Sequence, residues 1–332
     1  MRRIRPILTF ALLSFAAAAA LAQPGRLLVA QKGDMKLATF DLETGILLGS
    51  VPEGGKTGHE VTVSPDGKLA YVPIYGDSGV GKPGSDGSNL VVIDLAAQKI
   101  VGNVDFAKGV RPHQPVFGPR DGLLYVTTEL DQSVTVIDPK TLKIVGTIPT
   151  GQAESHMLAI SHDGHRGYTA NVGPGTVSVL DMDARKMIKV IPISGNTQRI
   201  SVSNDDKWVF TADQTKPQLA VIDAKTYLIK RWIPLEGLGY GSATTPDGKW
   251  LLVAIPDKAS IAVIDLKSMT VAKSIGVASD PQEIVVRPDG KKAYVSCMSG
   301  GEVVEIDLDG WRLTNGIEAG SLPDGLAWAL AL

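Results

Sequence analysis

The chain has 332 residues, 33 Lys+Arg against 35 Asp+Glu, a formal net charge of −2 and a single cysteine. A balance this close to neutral excludes the basic stripe of a nucleic-acid-binding protein, and one cysteine excludes an internal disulfide. Stability must come from packing, with Cys297 expected to be buried as a small apolar side chain.

Taken in chain order, the first element is a targeting segment. "MRRIRPILTFALLSFAAAAALAQPG" opens on Arg2, Arg3 and Arg5, runs through an apolar stretch and reaches Ala20-Leu21-Ala22. Basic residues, a short apolar run and small residues two apart describe a secretory signal peptide over residues 1–22. The run is too short and alanine-rich for a permanent span. Residues 23–332 are then one exported domain, periplasmic or secreted, with no integral membrane segment. Its formal charge is −5, because the segment removes three arginines from a total of −2.

From there the sequence repeats. Apolar-apolar-Asp triplets end at Asp41, Asp94, Asp138, Asp181, Asp223, Asp265 and Asp307, spaced by 53, 44, 43, 42, 42 and 42 residues. Each period carries four short runs rich in β-branched and aromatic residues. Asp-Gly or a relative separates the first two runs, at 65–67, 120–122, 162–164, 204–206, 246–248 and 288–290. Such pairs suit tight hairpins, and the triplet aspartates suit turn caps that bond their own backbone. Four antiparallel strands per period, with no helical spacing, predict an all-β seven-bladed β-propeller with four-stranded blades. The start of the mature chain supplies three strands and "PDGLAWALAL" supplies one. Joined, they complete a blade and leave no open sheet edge.

The second strands read "YVPI" (71–74), "YVTT" (125–128), "YTAN" (168–171), "FTAD" (210–213) and "YVSC" (294–297). With the triplets that follow, this resembles the YVTN family of seven-bladed propellers across essentially the whole mature chain. The resemblance implies the propeller fold and export. It implies no single activity, since similar propellers include surface-layer modules, lactonases, muconate-lactonizing enzymes and haem d1 proteins.

In a blade the chain runs up and down, so the start of the innermost strand and the end of the second share a face, opposite the Asp-Gly turns. Counting back from those turns gives one residue per blade at the axial mouth: His59, His113, His156, Gln198, Tyr240 and Gln282. The closing strand adds Asp324. Three of the five histidines fall in this column, and His162 and His165 fall in opposite-face turns. Second-strand ends add Gln31, Lys32, Tyr75, Thr128, Glu129, Asn171, Asp213, Gln214 and Cys297. Arg111 and Arg199 flank ring positions as candidate anion contacts.

Three imidazoles and a carboxylate, His59, His113, His156 and Glu129, are a candidate site for one divalent transition metal. His113, His156 and Glu129 are equally candidates for proton transfer, with Tyr75, Arg111, Asn171, Arg199, Asp213, Tyr240, Gln282 and Asp324 as ligand contacts. The leading expectation is an exported, monomeric propeller that binds a small molecule or metal at the mouth. A lactonase-like hydrolase or lyase and a scaffold for a partner protein are the alternatives.

The insertion "YGDSGVGKPGSDGSN" (75–89) accounts for the long first spacing and emerges beside His59. Its glycines suggest a mobile surface loop or a lid. "GDSGVGKP" falls short of a phosphate loop, because Pro83 replaces the hydroxyl and no helix follows. Trp208, Trp232, Trp250, Trp311 and Trp328 are expected in strands, packed between blades.

Overall fold

The computed structural model of the chain describes residues 25–330; the expected export signal lies outside them. These residues form seven four-stranded antiparallel sheets. Blade 1 joins residues 323–330 to 25–52, and blades 2 to 7 span residues 62–105, 112–149, 155–192, 200–234, 242–276 and 281–318. The innermost strands touch in cyclic order, and that of blade 1 meets that of blade 2. The ring closes as the chain ends foretell: Pro323–Leu330 pairs antiparallel with Gly25–Gln31. The all-β seven-bladed propeller expected from the repeat is the fold observed.

Burial rises and falls along each blade. In blade 3 the second strand, Leu124–Thr128, is buried throughout, whereas the outermost, Lys143–Pro149, is mostly exposed. Face-to-face stacking of blades explains this, since a strand covered on both faces reads as a continuous apolar run. The core is accordingly a ring of seven apolar clusters, each of which draws on two neighbouring blades. All seven blades also carry a register shift between third and fourth strands, which adds twist at the rim.

The turn chemistry follows the repeat. Asp223 Oδ1 accepts the backbone N–H groups of Lys225 at 3.0 Å and Thr226 at 2.7 Å, and Asp265 does the same for Lys267 and Ser268. Gly164 takes φ +72° in its Asp-Gly turn, and where blade 5 has Asp206 instead, that residue takes φ +56°. Short polar residues tolerate this region better than most. Trp311 departs from expectation, lying in a turn with φ +54° rather than in a strand, its ring edge-on to Trp250 at 5.2 Å. Among the described residues no helix is long and apolar enough to cross a membrane.

Candidate functional site

All seven residues of the predicted ring, His59, His113, His156, Gln198, Tyr240, Gln282 and Asp324, line one cavity of about 200 Å³. They meet because each lies at or just before the start of an innermost strand, where the seven blades converge. Lys32, Arg199, Met298 and three residues of the insertion, Ser78, Gly79 and Val80, complete the wall. Two larger hollows, of about 290 and 620 Å³, lie among the Asp-Gly turn residues. The carboxylates there are committed, as Asp205 is to Lys207 and Ser203 of its own turn and Asp183 is to Arg120 and His165.

Blades 2 to 4 supply a histidine wall. Glu129 opens a single 3-10 turn after its strand, and its carboxylate is buried between Tyr75 and His156. Tyr75 donates its hydroxyl to Glu129 Oε2 at 2.8 Å, and Glu129 Oε1 meets His156 Nδ1. A carboxylate at Nδ1 fixes the tautomer with the proton on that nitrogen. Nε2 is then an acceptor at the cavity, taking an N–H from the Gln198 amide at 3.3 Å. Burial, then the neighbouring imidazoles of His156 and His59 and the charge of Arg199, hold the His113 pKa well below its usual value; burial, then Lys32, does the same for His59. Both are neutral imidazoles at neutral pH. The Tyr75 phenol is pushed far up by burial and by Glu129 beside it, so it stays protonated.

Blades 1, 2, 5 and 7 supply a charged floor. Arg199 pairs with Glu60 at 2.8 Å, Glu283 at 2.5 Å and Asp324 at 3.4 Å, and its guanidinium lies 4.9 Å above the Tyr240 ring. Burial opposes the arginine's charge, but these carboxylates win and keep it ionised. Burial in turn raises Glu60 well above the usual carboxylate range and raises Glu283 less. Tyr240 is pushed up to about 12 by burial.

Three polar atoms in the cavity wall have no hydrogen-bond partner, His113 Nδ1, Ser78 Oγ and Arg199 Nε; their residues are 2%, 5% and 4% exposed. Lys32 forms none of the ion pairs seen among the described residues, although it too lines the cavity.

Several expected contacts lie elsewhere. Asn171 is bound within its own blade by Ser155, Thr176 and Ser178, and Asp213 caps Thr215 and Gln218. The second strand lies one strand spacing farther from the axis, so its end reaches the mouth only where it leans inward, as Tyr75 and Glu129 do. Arg111 is also committed: it donates to Asp86 at 2.6 Å, to the Gly79 carbonyl at 3.2 Å and to the Lys82 carbonyl at 2.8 Å. Gln31, Thr128 and Gln214 bond backbone or neighbouring hydroxyls, and burial pushes the Cys297 thiol up to about 12 within the core. His162 and His165 lie on the opposite face as expected, half-exposed against Asp206 and Asp183.

The metal expectation meets a geometric obstacle. The His113 and His156 rings stack with centroids 3.6 Å apart and 34° between planes. Rings so nearly parallel cannot aim two lone pairs at one tetrahedral point, and Nδ1 of His156 is taken by Glu129. No group of three His, Cys, Asp or Glu side chains among the described residues is arranged to hold a metal ion.

Comparisons with known proteins agree with this architecture. The family model for the cytochrome D1 heme domain matches residues 118–246. No curated protein matches the chain in sequence. Among solved structures, Kuenenia stuttgartiensis hydrazine synthase superposes with a TM-score of 0.71 at 17% identity, over 89% of this chain and 99% of that one. The dihydro-heme d1 dehydrogenase NirN, in complex with DHE, gives 0.66 at 16% identity, over 91% and 74%. A functionally unknown protein from Desulfotomaculum acetoxidans DSM 771 gives 0.75 at 14% identity, over 92% and 98%. In fold, the chain is a seven-bladed propeller like these structures, and its residues 118–246 resemble the cytochrome D1 heme domain.

Proposed function

We propose that this protein is an exported binding propeller that takes a compact, anionic ligand, a short-chain carboxylate, into its axial cavity. One observation carries the reading. One small cavity is walled by an uncommitted cation, Lys32, and by three buried polar atoms that lack partners, His113 Nδ1, Ser78 Oγ and Arg199 Nε. Buried polar groups are satisfied in folded proteins as a rule, so the three exceptions that line this cavity support a ligand bonding there, although five other unpartnered atoms among the described residues lie outside its wall. Arg199 is not the main anion contact, since three carboxylates already pair with its Nη atoms, and only its Nε is left unpaired.

The haem that the family model names does not fit this arrangement. Drug-sized ligands occupy pockets of about 300–1,000 Å³, and a tetrapyrrole is no smaller, whereas this cavity is about 200 Å³ with the insertion across it. A divalent metal held by the three histidines is disfavoured by the stacked rings. The scaffold reading gains little from the surface. Exposed apolar residues such as Leu47, Val101, Val145, Ile188, Leu228, Val271 and Leu313 recur in every blade, as a property of the repeat rather than of one patch.

A second reading has one observation in its favour. Glu129, held by Tyr75, orients His156 with Nε2 toward the cavity, an arrangement suited to general-base catalysis in a lactonase-like hydrolase or lyase. The first test is a thermal-shift screen of the mature protein with short-chain carboxylates against a chloride control. A saturable rise in Tm with at least one supports binding, and none across the series overturns it. Assays of short lactones, with His156→Ala beside wild type, decide the second reading.

A further inference from the structure

We infer that the blade 2 insertion is the specificity element of this site: it presents Ser78 to the ligand and, latched by Arg111, restricts the mouth to compact molecules. The inference rests on the binding reading above and extends it to residues outside the predicted ring.

Four observations support it. Ser78, Gly79 and Val80 are part of the cavity wall, so the insertion is not a bystander on the surface. Ser78 Oγ is buried and unpartnered in that wall. The segment is also folded on itself: Asp77 N–H donates to the Ser85 carbonyl at 3.2 Å, Ser85 N–H to Asp77 Oδ1 at 2.6 Å, and Lys82 N–H to the Gly79 carbonyl at 2.9 Å. It crosses blade 4 so closely that a Cβ on Gly81, at φ +65°, would lie 2.7 Å from Glu154 Oε1. The expected mobile loop is thus a built cap whose glycines permit close passage.

The latch is Arg111. Its Nε meets Asp86 at the end of the insertion, and its two Nη atoms hold the Gly79 and Lys82 carbonyls at its tip. A planar guanidinium can tie three points at once in this way. The arginine sits two residues before His113, so the group that holds the cap down belongs to the blade that the cap covers. Removing the latch frees the tip while leaving the insertion's own hairpin bonds.

The test uses diethyl pyrocarbonate, which acylates imidazole nitrogen, with peptide mapping of each histidine. His59 and His113 are 9% and 2% exposed and should react slowly in wild type, while His162 and His165 react fast. Arg111→Ala, and independently the near-isosteric Asp86→Asn, should speed His113 at least about tenfold by local opening. The buried core thiol Cys297 should stay protected from a thiol reagent, which excludes general unfolding. Equal His113 rates in wild type and both variants overturn the gate, as does a rise accompanied by Cys297 labelling. Ser78→Ala should keep His113 protected yet weaken the best carboxylate about tenfold; unchanged affinity overturns the contact. If no carboxylate binds wild type, the ligand reading fails and takes the Ser78 contact with it, while the acylation rates still decide the gate.

Discussion

The hydroxyl of Tyr75 donates to Oε2 of Glu129 at 2.8 Å, and the phenol that makes this bond comes from the first residue of the insertion. The other oxygen of the same carboxylate meets His156 Nδ1. One buried carboxylate therefore ties the cap of blade 2 to the imidazole of blade 4, across blade 3.

Removing that carboxylate orphans two polar groups at once. Glu129→Ala should destabilise by about 1–3 kcal/mol per orphaned group, whereas Tyr75→Phe should cost less because it removes only one donor. Urea unfolding of the two variants and their double mutant checks this. Coupling between the sites is expected, since both act on one carboxylate.

Glu53 predicts a pH dependence. Its carboxyl is buried, and burial raises its pKa from 4.5 to about 7, although Oε2 accepts the Gly58 N–H at 2.7 Å. The folded state therefore holds a proton that the unfolded state has released. Its contribution is fully present below pH 4.5 and is lost as the pH rises through 7. The loss amounts to about 3 kcal/mol at most. Glu53→Gln keeps an acceptor for Gly58 without the titration, so it should flatten the fall in stability between pH 5 and pH 8. Identical pH slopes in wild type and variant would contradict the assignment.

Arg199 is the counter-ion of a buried acidic cluster. Arg199→Ala should cost about 3–5 kcal/mol, because it leaves carboxylates buried without their cation. Arg199→Ala combined with Glu283→Gln should recover part of that loss. Guanidinium midpoints of the single and double variants decide it.

The stacked His113 and His156 rings predict that the mature protein, purified without chelator or a histidine tag, carries no stoichiometric zinc, copper or manganese. Elemental analysis checks this. About one metal per chain, lost in His59→Ala/His113→Ala/His156→Ala, would show that the rings reorient and that metal is the ligand.

Much of this was legible in the sequence because a propeller is periodic. The spacing of Asp41 through Asp307 gave blade number, and counting back from Asp66 or Asp163 reached His59 and His156, since each hairpin has a fixed length. The same counting misplaced Asn171 and Asp213. Periodicity reports position along a strand, and their distance from the axis depends on how each strand leans. Glu60 and Glu283 were missed although a signal existed. Each follows a ring residue, as Arg199 does, at a place where blade 4 has Met157. Three charged residues of both signs among seven equivalent positions were the clue. Ser78 and the commitment of Arg111 were not readable, because an insertion has no repeat to be aligned with and its path depends on contacts with blades 3 and 4.

The most direct test of the binding account is isothermal titration of the best short-chain carboxylate into wild type, Lys32→Ala and the opposite-face control His162→Ala. The account predicts saturable binding to wild type and the control, and at least about tenfold weaker binding, near 1.4 kcal/mol, to Lys32→Ala. Equal affinity for all three proteins, or heat that never saturates, would contradict it.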